Sequence, residues 1–243
     1  MPEYAVPLLV AAFPENPRVM LVQTYPWLLR DDWLKRVRTV RLDAVVATSE
    51  ICAGMTEMAG FGVPLRVPLA IDSAMFHPGD VKKRQISYMP RKRRSEVELV
   101  VKALRDRGRV TDFDVVEIDG LPQPQAAEIL RESLIFLAFS HAEGFGLPPA
   151  EAMAAGCIVI GFTGVGGDEF FSPDISIPIS DGNLPAMVRM IEQVVAEYRN
   201  DPMRLDAMRH QAAQHIRRNY DDAARRRALF DVFGQIRDKR KVA

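Results

Sequence analysis

The stretch "FSHAEGFGLPPAEAMAAGCIVIGF", residues 139–162, decides how the rest of the chain is read. It is largely apolar, yet it holds two glutamates, Glu143 and Glu151, with seven residues between them. Gly144, Gly146, Pro148 and Pro149 lie in that interval. The run "LIFLAFS" (134–140) has the length of a buried strand, "PPAEAMAA" (148–155) reads as a short helix, and "CIVIGF" (157–162) as the next strand. Proline suits the first turn of a helix, where its missing N–H costs nothing. The helix is therefore predicted to start directly after the glycines, which let the backbone take unusual dihedrals and approach a ligand closely. Its unpaired N–H groups and positive dipole end favour an anion.

Outward from this stretch, strands and helices alternate. "ISYMP" (86–90) and "FDVVEI" (113–118) read as strands, and "PQAAEILRES" (124–133) as a helix. "SEVELVVKALRDRG" (95–108) is a predicted helix with a capping box of Ser95 and Glu98, an apolar stripe of Val97, Val100, Val101 and Leu104, and a stop at Gly108. This alternation predicts an α/β fold, a Rossmann-like parallel sheet with helices on both faces. Upstream, "RVMLVQ" (18–23) and "DAVVATS" (43–49) read as strands with a charged helical segment between them. Residues 60–80, rich in proline and glycine, read as an irregular connection, and the chain from Asn183 onward as mostly helical.

Ligands of open parallel sheets bind beyond the carboxyl ends of the strands. At that edge lie the loop 141–147, the basic run "RKRR" (91–94) and the glycine-rich "GVGGDE" (164–169). An anion at the helix start would have a carboxylate on either flank. Carboxylates repel phosphate but accept sugar hydroxyls, so the simplest ligand is a phosphate with a sugar on each side, a nucleotide diphosphate sugar. With no metal-ligand cluster in the sequence, arginine and lysine are expected to neutralise the diphosphate. No cofactor is expected beyond this donor substrate. His141 reads either as a strand-end histidine paired to a backbone carbonyl or as a donor contact.

The 243 residues carry equal numbers of Lys plus Arg and Asp plus Glu, which argues against a nucleic-acid binder. Cys52 and Cys157 are far apart in apolar surroundings and read as buried free thiols of a reducing compartment. No apolar run reaches membrane-spanning length, and the start "MPEYAVPLLVAAF" does not read as a signal peptide. A cytoplasmic protein is expected, with a peripheral position at the inner membrane face as a variant.

The pattern S-x-x-E-G-F-G-L-P-x-x-E-A-M-A-x-G, followed by an apolar strand and G-G-x-E, resembles the C-terminal domain of retaining glycosyltransferases of the two-Rossmann GT-B fold. The similar family is the large one that contains sucrose synthases, glycogen synthases and bacterial mannosyltransferases. The resemblance covers roughly 85–220 and continues more weakly through "DAVVATSE" and "VPLAIDSAMFHP". It implies that Glu151 holds the ribose hydroxyls and that Glu143, the expected catalytic residue, lies near the donor sugar. It also implies that the backbone around Gly146 and Leu147 meets the diphosphate, and that Arg91, with Lys92 or Arg94, neutralises it. His141, Gly144, Phe145, Gly166 and Gly167 complete the expected donor set. The implied reaction moves a sugar, with retention and without a metal, to a carbohydrate, lipid-linked or protein acceptor.

Three regions are expected: a shortened acceptor-side α/β region with linker (1–78), a donor-binding domain (79–222), and a C-terminal helix (223–243) packing back on the N-terminal region. About two strands and two helices before the linker fall short of the family's usual acceptor domain, and no glycine-rich loop follows the first strand. The alternative function is therefore a nucleotide-sugar-binding module whose transferase activity is lost, or is completed by a partner or a second copy. The paired glutamates speak against a third option, an epimerase on the same fold.

Overall fold

The computed structural model describes residues 1–13 and 16–242. The chain forms two compact units, one of Met1–Ala70, Ala142–Phe145 and Tyr220–Ala243, the other of Ile71–His141 and Gly146–Asn219.

In the first unit, helix α1 (Val6–Ala12) precedes β1 (Val19–Val22), α2 (Asp31–Val37), β2 (Ala44–Ala47), α3 (Glu50–Met58) and β3 (Leu65–Arg66). The strands are parallel in the order β1-β2-β3, with Val19 opposite Ala44 and Val46 opposite Leu65. Acids open α2 and bases close it, matching the helix dipole. Ser49 caps α3 by accepting from the Cys52 amide at 3.2 Å. Met20, Val22, Leu28, Trp33, Val37 and Cys52 form the core. Glu3 is buried, and its carboxylate accepts from the Gln23 and Thr24 amides and the Thr24 hydroxyl, which offsets its desolvation. The expected two strands are thus three, because β3 lies inside the stretch read as irregular. Two residues beside prolines give no periodicity to detect.

The second unit runs β4 (Lys83–Tyr88), α4 (Arg94–Arg107), β5 (Asp114–Glu117), α5 (Gln123–Glu132), β6 (Ser133–Phe139), α6 (Leu147–Ala154), β7 (Ile158–Phe162), β8 (Ile177–Pro178), α7 (Leu184–Asn200) and α8 (Met203–Asn219). Its five strands are parallel in the order β5-β4-β6-β7-β8. Ile135 and Leu137 of β6 pack with Val97, Val100 and Leu104 of α4 and Met187, Ile191 and Val195 of α7. The alternate residues Phe136 and Ala138, which face the other side of a strand, are equally buried, and α5 and α6 pack along β6. Both faces of the sheet are covered, as an all-parallel sheet requires.

The expected capping box of α4 does not form. The helix begins one residue before Ser95, with Arg93 at the cap and no side-chain cap bond. Gly108 does end it, its amide reaching the carbonyls of Leu104 and Arg105. Strand β8 was not anticipated. Helix α9 (Asp222–Val242) belongs to the first unit, where Val232 and Ile236 are buried with Val46 and Val67. Among the described residues no helix is long and apolar enough to cross a membrane. Both cysteines are free and buried.

Candidate functional site

Helix α6 organises the site. Gly146, at its N-cap, has φ 95° and ψ 65°, a left-handed conformation that an L side chain resists. No side chain caps this helix, and Pro148 and Pro149 carry no N–H. The Leu147 amide is therefore the donor left at the helix start, beside the positive dipole end. Leu147 is exposed, whereas Gly146 is buried.

Glu151 stands one turn further along α6 and is half-buried. Burial pushes its carboxyl above the usual carboxylate range, and a hydrogen bond from Gln123 opposes that shift. The Gln123 amide donates to Glu151 Oε1 at 3.4 Å. Gln123 opens α5, and the sequence reading had passed over it, because an exposed glutamine at a helix start has no distinguishing context.

The basic run follows β4 and separates into four different environments. Arg91 is exposed and makes no ion pair among the described residues. Lys92 Nζ donates to the His141 carbonyl at 3.1 Å, which brings the basic loop to the end of β6. Arg93, which the sequence reading did not single out, is the buried one. Its Nη1 bonds both Glu96 oxygens at 3.1 and 2.9 Å, and its Nη2 reaches Asp181 Oδ1 at 2.5 Å and His141 Nδ1 at 2.9 Å. The guanidinium lies 5.0 Å over the Phe162 ring, and its Nε has no partner. Arg94 turns toward β5, bonding Glu117 at 3.2 Å and Asp119 at 2.5 Å.

His141 is therefore not paired to a backbone carbonyl. A guanidinium can only donate, so Nδ1 accepts from Arg93 and the ring hydrogen sits on Nε2, available to a ligand.

Three expected site residues, Glu143, Gly144 and Phe145, belong to the first unit. Gly144 is a packing glycine, which corrects the expected ligand approach. A Cβ there would sit 2.0 Å from the Gln23 carbonyl oxygen and 3.2 Å from Cys52 Sγ. Phe145 is 2% exposed and its ring lies 5.0 Å from that of Tyr220; it anchors the loop and is not open to a donor. Glu143 is half-buried. Burial first, then Cys52 and Glu143, raise the Tyr25 hydroxyl above its ordinary range.

The loop after β7 holds a 3-10 turn, Gly166–Glu169. The Gly167 amide bonds the Thr163 carbonyl at 2.9 Å, so of the two expected glycines only Gly166 can offer its amide to a ligand. Ala142 (φ 48°) and Val165 (φ 69°) both have left-handed backbones. Non-glycine residues held there cost about 1–3 kcal/mol each and cluster at ligand-binding loops.

Residues 91–231 match the model of a family described as "Glycosyl transferase-like". An "Alpha-1,6-glucosyltransferase" of Actinobacillus pleuropneumoniae serotype 7 (strain AP76) is 24% identical over 197 residues, 77% of this chain and 59% of that protein. S. aureus TarM, solved with fondaparinux, alpha-GlcNAc-glycerol and UDP, superposes with a TM-score of 0.72 at 14% identity, over 95% of this chain and 54% of that one. Anabaena HepE, solved with UDP and glucose, superposes with a TM-score of 0.71 at 11% identity, over 96% of this chain and 76% of that one. The chain thus spans between half and two thirds of the length of the first two. The fold is the α/β, parallel-sheet architecture of GT-B glycosyltransferases, and the chain belongs to the glycosyl transferase-like family.

Proposed function

We propose that this chain binds a nucleotide diphosphate sugar at the carboxyl edge of the five-stranded sheet and transfers the sugar, with retention and without a divalent metal. The observation that carries this reading is Glu151. It is a half-buried carboxylate one turn inside an uncapped helix start, steadied by Gln123. A desolvated acid beside an anion site suits ribose hydroxyls, which donate to it while the phosphates take the helix amide. HepE has also been solved with UDP-glucose, so a uridine donor is the first to test.

In this reading the Leu147 amide, Arg91, Lys92 and the Nε2–H of His141 meet the diphosphate. As the glycosidic bond breaks, negative charge grows on the leaving diphosphate, and these donors stabilise it more than they stabilise the ground state. Arg93 does not touch the donor; it fixes His141. Glu143 is assigned to the donor sugar. A saccharide acceptor is preferred over the lipid-linked or protein alternatives, because the matched relatives were solved with sugars.

A second reading, a donor-binding module completed by a second copy or a partner, is favoured by one observation. The first unit exposes Leu8, Phe13, Leu29, Met58 and Val63, each more than half exposed, and such apolar surface favours association. Both readings are tested together by assaying the purified chain with labelled UDP-sugars and a saccharide panel while measuring its mass in solution. Rapid transfer by a monomer supports the enzyme. Donor binding without transfer supports the module.

A further inference from the structure

The second unit carries a cavity of about 820 Å³ whose walls come from the far end of α4, the start of the segment leading into β5, and one face of α7. These elements lie at the amino edge of the sheet, opposite the carboxyl edge that holds α6 and the basic loop. Arg107, Arg109, Arg189 and Arg199 line the cavity, with Asp112 and Glu192 as its acids.

The acids serve to orient the arginines. Glu192, 7% exposed, grips Arg107 through two bonds of 2.6 and 2.9 Å. Arg109 stands 3.9 Å from the same carboxylate. Asp112 bonds Arg199 and also Arg84, the latter at 2.8 Å. Arg189 has no ion pair among the described residues. Four guanidiniums therefore line the cavity against two carboxylates, 4 − 2 = 2 positive charges in excess. The carboxyl ends of α4 and α7, where Arg107 and Arg199 sit, each contribute a partial charge of only about −0.5, which leaves the cavity net positive. The chain as a whole is neutral, so this excess is a local segregation and not a general basicity.

The chemistry is specific in two further ways. Every cation is arginine, whose planar fork matches phosphate oxygens two at a time and is more weakly hydrated than an ammonium. And Arg189, Glu192, Gln193, Ala196 and Arg199 share one face of α7, with Glu192 already engaged by Arg107 between the two arginines. Ten residues at 1.5 Å each separate those arginines by about 15 Å, more than one phosphate can bridge.

We propose that this arginine-lined cavity binds an anion carrying more than one phosphoryl group, at a site separate from the donor diphosphate. The same chemistry could be offered by a soluble oligophosphate or by neighbouring anionic lipid headgroups.

The experiment uses the full chain with UDP present at saturation, so that the donor site is filled, and titrates in tripolyphosphate by calorimetry at low salt. Arg109→Gln/Arg189→Gln should change the affinity for UDP less than threefold while weakening tripolyphosphate at least about tenfold. Arg189→Glu alone, at an exposed position that supports no buried carboxylate, should weaken it too, and thermal melts check that each variant is folded. In a second arm, co-sedimentation with phosphatidylglycerol vesicles, set against phosphatidylcholine vesicles, identifies the source. Vesicle binding lost in the Arg109/Arg189 variant assigns the site to lipid headgroups; tripolyphosphate binding without vesicle binding assigns it to a soluble anion. Tripolyphosphate binding to the UDP-saturated chain that survives in the Arg109/Arg189 variant, or that UDP abolishes in the wild-type chain, overturns the proposal, as does the absence of binding to both probes.

Discussion

Arg93 and Glu151 show what single residues do at this site. Arg93 gathers Glu96, Asp181, His141 and the Phe162 ring around one buried guanidinium. Arg93→Ala leaves Glu96 and His141 without their partner and is expected to lower stability by about 1–3 kcal/mol, read by urea denaturation. It should also weaken the diphosphate, because His141 loses its fixed tautomer. Arg91→Ala, by contrast, should weaken a nucleoside diphosphate while leaving stability unchanged. "RKRR" could not reveal this division of labour. Four consecutive cations look alike until the register of the helix start sends Arg93 inward, Arg94 toward β5 and Lys92 to the end of β6, and leaves Arg91 exposed.

Glu151 carries a pH prediction. Burial, the larger cause, raises its carboxyl above the usual carboxylate range. For a raised folded-state pKa, the contribution to stability is fully present below the unfolded value and is lost as pH rises through the folded one. Ionised Glu151 thus costs the free protein stability at neutral pH, and Glu151→Gln should leave its melting temperature unchanged or slightly higher. In the proposed function the ribose hydroxyls donate to the ionised form, so donor affinity should fall as pH drops through a window above that of an ordinary glutamate. Calorimetry across pH checks this: the fall should be absent in Glu151→Gln.

At the scale of elements, the start of α6 is the part read most completely from sequence. Glycine, two prolines and an acid one turn later fix where the helix begins and which amide is left over. Gly146→Ala places an L side chain in left-handed backbone, a strain of about 1–2 kcal/mol. It is expected to weaken diphosphate binding by shifting the Leu147 amide, measured against an unchanged affinity for the bare nucleoside. The long elements, β6, β7, α4 and α5, were legible because burial imposes continuous apolar runs on strands and stripes on helices. Strands β3 and β8 were not, since two residues make no pattern. The capping box failed because Arg93 holds Glu96 and starts the helix one residue earlier. Gly144 and Phe145 lay inside the motif, yet packing decides their roles: one lies against Gln23, the other against Tyr220. Sequence spacing places a residue near a site but does not say which way it faces.

For the whole molecule, the central claim is that one sheet edge is built for a nucleotide diphosphate sugar held by a carboxylate, a helix amide and cations. The chain spans 59% of the glucosyltransferase it resembles and 54% of TarM, so binding is a more direct test than turnover. That test is a calorimetric titration of UDP-glucose into the wild-type chain and Glu151→Gln, with a metal chelator present throughout. Charge-assisted hydrogen bonds contribute about 1.5–3 kcal/mol each, and 1.4 kcal/mol is tenfold in affinity. The expected result is saturable binding in chelator, weakened about tenfold or more by Glu151→Gln in a protein that melts no earlier than wild type. Binding that needs a divalent ion, or that Glu151→Gln leaves unchanged, would contradict it.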